Sequence, residues 1–321
     1  MTPSQFKSER PDEAAIRREL AVRPSPPDVL IHLHIAKTGG TSLSSMIKHG
    51  FRSAEVFESG AQGIGSPGAM RQAPRELCER QLIGFGLCGI RYISGHVPFG
   101  IHRVFECPAK YIATFRHPVE RIISYFFFQA EDRGRYLKDG KPLNFEEYIE
   151  DRSDVQLHDY QVRVLCGLPE LDAEIPGRDQ YSPRIKVERY HLEQAKRNIE
   201  QLFLAAAPIE QLTELGLLVR RIYGWPMRRL QTEYKNPTRT RPRSNKISAR
   251  VIRTIEECNS YDLELYEWVR GRFAEQRKLF EPELSRDHRV YNLINGVLTT
   301  AGAILPWNVR KRLAETLLYA R

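Results

Sequence analysis

Residues 34–43 read HIAKTGGTSL, an order of side chains suited to holding an anion. Gly39 and Gly40 let the backbone approach a ligand closely. The N–H groups of Gly40, Thr41 and Ser42 fall where a helix would begin, so they would point at an anion there. Lys37 adds a point charge, and Thr38, Thr41 and Ser42 add hydroxyls. An ordinary strand-to-helix turn with a surface lysine would account for two glycines. Glycines, lysine and three hydroxyls together read as a phosphate-binding loop. The loop is not a Walker A motif, which with Lys37 as its lysine needs glycines where Ile31 and Ala36 stand. No predicted strand ends in an aspartate suited to Mg²⁺. The expected cargo is therefore a group less charged than a transferring phosphoryl and handled without metal. A sulfuryl group fits.

A second anchor lies in YIATFRHPVERIISYF, residues 111–126. Arg116 falls at a strand end and offers a planar fork for a phosphate. Ser124 follows about two helical turns on. The plainer alternative pairs Arg116 with Glu120 in a surface ion pair. Among nine histidines, His96 in SGHVPF (94–99) is the candidate general base, because a Gly/Pro-shaped turn after a strand would hold it at a sheet edge. His102 and His117 are the reserve bases, while His32 and His34 share one strand face and read as packed or hydrogen-bonded.

These groups need elements to carry them. Buried strands are predicted over 29–35, 91–94, 110–115 and 202–207, and helices over 42–48, 118–128, 155–166, 187–201, 211–223 and, as a pair, 248–280. Asn144 and Glu147 have capping-box spacing. Residues 59–76, rich in Gly, Ser, Pro and Ala, read as a surface excursion or lid. Strands alternating with helices predict an α/β fold: an open parallel sheet flanked by helices, with its ligand at the carboxyl ends of the strands.

Together, KTGGTS (37–42) and the pair Arg116 and Ser124 resemble the sulfotransferases that use 3′-phosphoadenosine 5′-phosphosulfate (PAPS). The first segment is similar to that family's 5′-phosphosulfate loop and the second to its 3′-phosphate motif. The wording is nearest the carbohydrate branch, which includes the heparan sulfate 2-O- and 6-O-sulfotransferases and many bacterial relatives. YQVRVL (160–165), LAAAPIE (204–210) and NSYDLELY (259–266) resemble later segments of that branch in the same order. The resemblance runs from about residue 28 to 280. It implies a P-loop-like sheet and in-line transfer of a sulfuryl group from PAPS to an acceptor hydroxyl, with PAP as product and no metal. It also implies His96 as base, Lys37 as the cation on the leaving phosphate, and Arg243, Ser244 and Lys246 in a basic loop over the nucleotide. A glycan, glycolipid or small-molecule acceptor fits.

The 321 residues carry 49 Lys plus Arg against 40 Asp plus Glu, a formal charge of +9. At 41% hydrophobic residues the chain can build a core, and no stretch approaches the roughly 20 apolar residues of a spanning helix. The polar, charged residues 1–27 read as an extension without a signal peptide. The five cysteines include no CxxC pair and read as reduced thiols, so a cytoplasmic location is expected. No cluster has zinc spacing. The catalytic domain is expected over 28–284 and a helical extension over 285–321. In the extension, Arg310, Lys311, Arg312 and Arg321 oppose Leu313, Leu317 and Leu318. Such a helix could lie at a membrane surface, although packing on the domain or on a partner is the simpler reading. Oligomeric state stays open. Two other classes compete: a P-loop kinase, opposed by the missing glycine and aspartate, and a nucleic-acid binder using the arginines between 220 and 250. The latter stretch lacks a stacking platform, because Tyr223, Trp225 and Tyr234 are not spaced for one, so no nucleic acid is expected.

Overall fold

The strand-forming runs are continuous rather than alternating in hydrophobicity, as a parallel sheet covered on both faces requires. In the computed structural model, which describes residues 24–58, 82–83, 87–133, 137–138, 141–168, 185–227, 230 and 244–302, five of them form one parallel sheet. The strands are β1 (Val29–Leu33), β2 (Val56–Glu58), β3 (Tyr92–Gly95), β4 (Ala109–Phe115) and β5 (Phe203–Pro208), in the order β2-β3-β1-β4-β5. A short antiparallel ribbon, Leu137–Lys138 with Lys141–Pro142, stands apart. The helices are α1 (Gly40–Lys48), α2 (Pro118–Arg133), α3 (Phe145–Asp151), α4 (Tyr160–Leu165), α5 (Arg189–Leu202), α6 (Leu212–Tyr223), α7 (Ala249–Cys258), α8 (Ser260–Lys278) and α9 (Glu283–Gly302).

All five β1 residues are buried. Ile31, Leu33, Ile93, Tyr111, Ala113 and Phe115 pack toward α4, α5 and α8. Leu30, Tyr92, Ile112 and Ala205 pack toward α1, α6 and the start of α9. A third cluster joins α2, α3 and α7 through Ile122, Phe126, Tyr148 and Ile255. The Asn144–Glu147 capping box forms in both directions, at 2.9 and 3.0 Å.

Strand order decides where a ligand can sit. The chain leaving β1 runs through α1 to β2 on one side, whereas the chain leaving β4 runs to β5 on the other. Adjacent β1 and β4 therefore open a crevice at their carboxyl ends, the usual ligand position in such sheets. The loops flanking it are those that follow Leu33 and Phe115.

Three expectations change. The helix expected over 155–166 breaks at Asp159, whose φ of 46° is left-handed, so only a short turn and α4 form. The three-residue edge strand β2 escapes sequence detection, which makes 203–208 the fifth strand rather than the fourth. The expected boundary at 284/285 falls inside α9, whose Leu284 and Tyr291 belong to the core. Of the arginines between 220 and 250, Arg220 and Arg221 form an ion-pair cluster within the fold. Arg220 Nη1 lies 2.5 Å and Arg221 Nη2 2.6 Å from the buried Asp287 carboxylate of α9. Residues 1–23, 59–81 and 303–321 lie outside the described residues, so the N-terminal extension, the 59–76 excursion and the last helix of the extension have no structural account here. Among the described residues no helix is long and apolar enough to cross a membrane.

Candidate active site

The turn after β1 uses two left-handed residues, Lys37 at φ 64° and Gly39 at φ 87°. Glycine adopts this conformation without cost, while Lys37 bears a modest strain. The Gly39 carbonyl accepts the N–H groups of Ser42 (3.0 Å) and Leu43 (3.1 Å), which starts α1. The expectation for Ser42 is thus corrected, since its N–H is spent inside the turn. The N–H groups of Gly40 and Thr41 remain to face an anion. Thr41 is exposed and Ser42 half-buried, so their hydroxyls sit at the rim. Thr38 differs from its expected role: it is fully buried, and its hydroxyl donates to the Ile35 carbonyl at 2.9 Å. It braces the turn from inside.

Gly40 is required sterically. A Cβ at this position would lie 2.0 Å from Cδ2 of His34, so the imidazole packs directly on the glycine backbone. The same ring stacks on His96, with centroids 4.3 Å apart, and on His32 at 5.6 Å. The β1–β3 register, with Leu33 opposite Gly95, delivers His96 to this column. His96 Nδ1 lies 2.9 Å from the His34 carbonyl. A carbonyl only accepts, so Nδ1 carries the proton of the neutral ring and Nε2 is the basic nitrogen. Burial pushes His32 down to about 3, aided by the nearby charge of His96. Burial, followed by His96, His32 and Lys37, holds His34 well below the usual histidine range. His96 therefore stacks on the neutral His34 ring, with the neutral His32 ring next along the column.

Across the crevice, Arg116 follows β4. Its Nη1 donates to the Lys37 carbonyl at 3.2 Å, and its Nη2 lies 3.8 Å from Glu120. The two sequence anchors thus meet, and the expected ion pair with Glu120 coexists with that contact. Ser124, one turn beyond Glu120 on α2, is buried. The Lys37 ammonium lies 3.8 Å from the Phe128 ring centroid, so α2 also orients the lysine. The half-buried Ser244 and exposed Lys246 lie in a short turn against α2, the helix of Ser124. Arg243 lies outside the described residues.

The reserve bases are committed elsewhere. Tyr111 Oη accepts the N–H groups of Gly100 (3.0 Å) and His102 (3.2 Å) and lies 2.9 Å from His102 Nδ1. The phenol proton goes to Nδ1, which leaves His102 protonated at Nε2. His117 packs edge-on against Tyr266, whose hydroxyl donates to Glu210 at 2.9 Å. Sequence reading missed the part played by His34. The signal was its two-residue offset from His32 ahead of the glycine pair, and the meaning of that offset depends on a strand 60 residues away.

Gly40 yields its side-chain space to the His34 ring, and the Gly40 and Thr41 N–H groups, the Lys37 ammonium and the Arg116 guanidinium gather where the loops after β1 and β4 meet. Donors of this kind suit an anionic ligand. This site on a parallel sheet flanked by helices agrees with the sulfotransferase type of fold, and the chain is similar to carbohydrate sulfotransferases. Uronyl 2-sulfotransferase of Mus musculus is 26% identical over 175 residues, covering 51% of this chain and 42% of that protein. The Homo sapiens protein of the same name is 24% identical over 182 residues, 53% of this chain and 44% of that protein. Heparan-sulfate 6-O-sulfotransferase 1 of Gallus gallus is 26% identical over 290 residues, 79% of this chain and 68% of that protein. The chain thus spans less than half the length of the two uronyl 2-sulfotransferases. No family model matches it.

Proposed function

We propose that this chain is a PAPS-dependent sulfotransferase acting on a hydroxyl of a carbohydrate-bearing acceptor. The observation that carries this is the junction of the two anchors at the β1–β4 crevice, Arg116 Nη1 on the Lys37 carbonyl at 3.2 Å, with the His96 column beside it. When bound, PAPS supplies an activated sulfuryl group. The N–H groups of Gly40 and Thr41 and the Lys37 ammonium would hold its 5′ end, and Arg116 with Ser124 its 3′-phosphate. Lys37 also meets negative charge growing on the departing phosphate oxygen. His96 Nε2 takes the proton of the attacking hydroxyl, while the His34 carbonyl keeps Nδ1 protonated and the ring aimed. The names of the relatives, one set acting on uronyl residues and one on heparan sulfate, support a glycan acceptor.

The test is incubation with labelled PAPS and a panel of desulfated glycans, glycolipids and small hydroxylated metabolites, read by mass spectrometry. Sulfated glycan and an equal yield of PAP are expected. Sulfation of small metabolites alone would overturn the acceptor class. Failure to bind PAP in calorimetry would overturn the sulfotransferase reading.

A further inference from the structure

Arg116 stands one residue beyond β4, where the ladder ends: β5 pairs no further than Phe115 with Pro208. Its backbone groups need partners from elsewhere. Both come from one side chain. Gln161 Oε1 accepts the Arg116 N–H at 2.9 Å, and Gln161 Nε2 donates to the Arg116 carbonyl at 2.9 Å. A side-chain amide that pairs with both groups of one residue imitates one rung of a strand. It fixes the peptide planes on both sides of Arg116 and hence the direction of Cα–Cβ.

Gln161 is itself fully buried and held. Asp262 of α8 accepts its backbone N–H at 3.0 Å, the N–H of Val162 at 2.9 Å and the Gln161 Nε2 at 3.3 Å. The carboxylate thus caps α4 and sets which end of the amide faces which group of Arg116. A path of hydrogen bonds runs from α8 through α4 to the backbone of Arg116, whose guanidinium reaches Lys37.

We infer that Gln161 is the positioning residue for recognition of the 3′-phosphate: it aims the Arg116 fork without touching the ligand. This rests on the proposed function, in which Arg116 faces that phosphate. A residue that aims a bidentate donor should affect ligands that carry the 3′-phosphate and spare those that lack it.

The experiment is calorimetry of the full chain with PAP and with AMP, which lacks the 3′-phosphate, alongside thermal unfolding. Gln161→Met keeps length and burial but removes both bonds. It should weaken PAP binding about tenfold and AMP binding less than twofold. Arg116→Ala added to Gln161→Met should cost clearly less than Arg116→Ala alone, because aim no longer matters once the fork is gone. If Gln161→Met does not fold, Gln161→Asn keeps the amide and adds no charge but draws it back by one methylene, and should show a smaller but still selective loss. Equal losses for both ligands, unchanged PAP affinity, or full additivity with Arg116→Ala would each overturn the assignment while leaving the proposed function standing. A wild-type chain that binds PAP and AMP alike would overturn both.

Discussion

His96 and Lys37 should separate in their kinetics. Removing a general base typically lowers rate about 10²–10⁴-fold. His96→Ala should do so on an identified acceptor, leave PAP affinity nearly unchanged and abolish the acidic limb of the pH–rate profile. Near-normal turnover in that variant would mean that another group takes the proton. Lys37→Ala should lower both turnover and nucleotide affinity while the acidic limb survives, because the ammonium meets the ground state as well as the developing charge. Gly40→Ala should damage binding and catalysis together, because its Cβ would displace the His34 ring on which His96 stacks. Adding His34→Ala should recover nucleotide affinity. A double variant that binds no better than Gly40→Ala alone would show that the loop itself, not the ring, is at fault. The two anchors were legible in the sequence because each is a contiguous strand–turn–helix segment. His34 was not, because its neighbours His96 and Gly40 arrive through strand pairing and a left-handed turn.

At the scale of elements, α4 and α8 cap each other. Asp159 Oδ1 accepts the N–H groups of Tyr261 and Asp262 at 2.9 Å each, while Asp262 caps α4. Asn259 completes the exchange, accepting the Asp159 N–H at 3.1 Å and donating to the Leu157 and Ile255 carbonyls. Burial pushes Asp159 up to about 7, assisted by the charge of Asp262, and burial likewise raises Asp262 against the pull of Arg121. A carboxyl raised in the fold binds its proton more tightly there than in the unfolded chain. Stability from this pair is therefore greatest at low pH and declines as pH rises from about 4 to about 7. Asp159→Asn can still accept both N–H groups and should flatten that decline in urea titrations across the range. His32 has the opposite sign: neutral in the fold, it loses stability as pH falls from 6.5 toward about 3. Its two ring nitrogens have no hydrogen-bond partner, so His32→Phe should be near neutral at pH 8 and more stable than wild type at pH 5. Equal acid sensitivity in the two proteins would dismiss His32 as a source of acid lability. The sequence predicted one helix over 155–166 because the apolar spacing continues through Asp159. The left-handed backbone there is set by the reciprocal cap, whose partner lies about 100 residues away.

Across the whole molecule, the fold class could be read from strand and helix patterning, whereas the fit of α9 could not. Its ion pairs join residues 66 and 67 positions apart, and only the folded chain shows that Arg220 and Arg221 answer Asp287. Asp287→Ala would leave two arginines beside the core without that carboxylate. It should destabilise the protein by about 2–4 kcal/mol, seen as a lower urea midpoint with PAP affinity at saturating folded fraction unchanged. An unchanged midpoint would mean that this ion-pair cluster adds nothing to stability. The position of β1 has a consequence during synthesis. It is the first strand of the sheet to be made but lies in the middle, between β3 and β4. Its edge toward β3 therefore stays open until residues 92–95 have been made, and its edge toward β4 until residues 109–112 have followed. A wholly aliphatic run of that length would be prone to associate with other nascent chains. His32 and His34 interrupt it, hydrated and partly charged while the chain is open, and neutral once the neighbouring strands close around them. The same two rings that form the column beneath His96 in the finished protein thus lower the tendency of the nascent strand to associate.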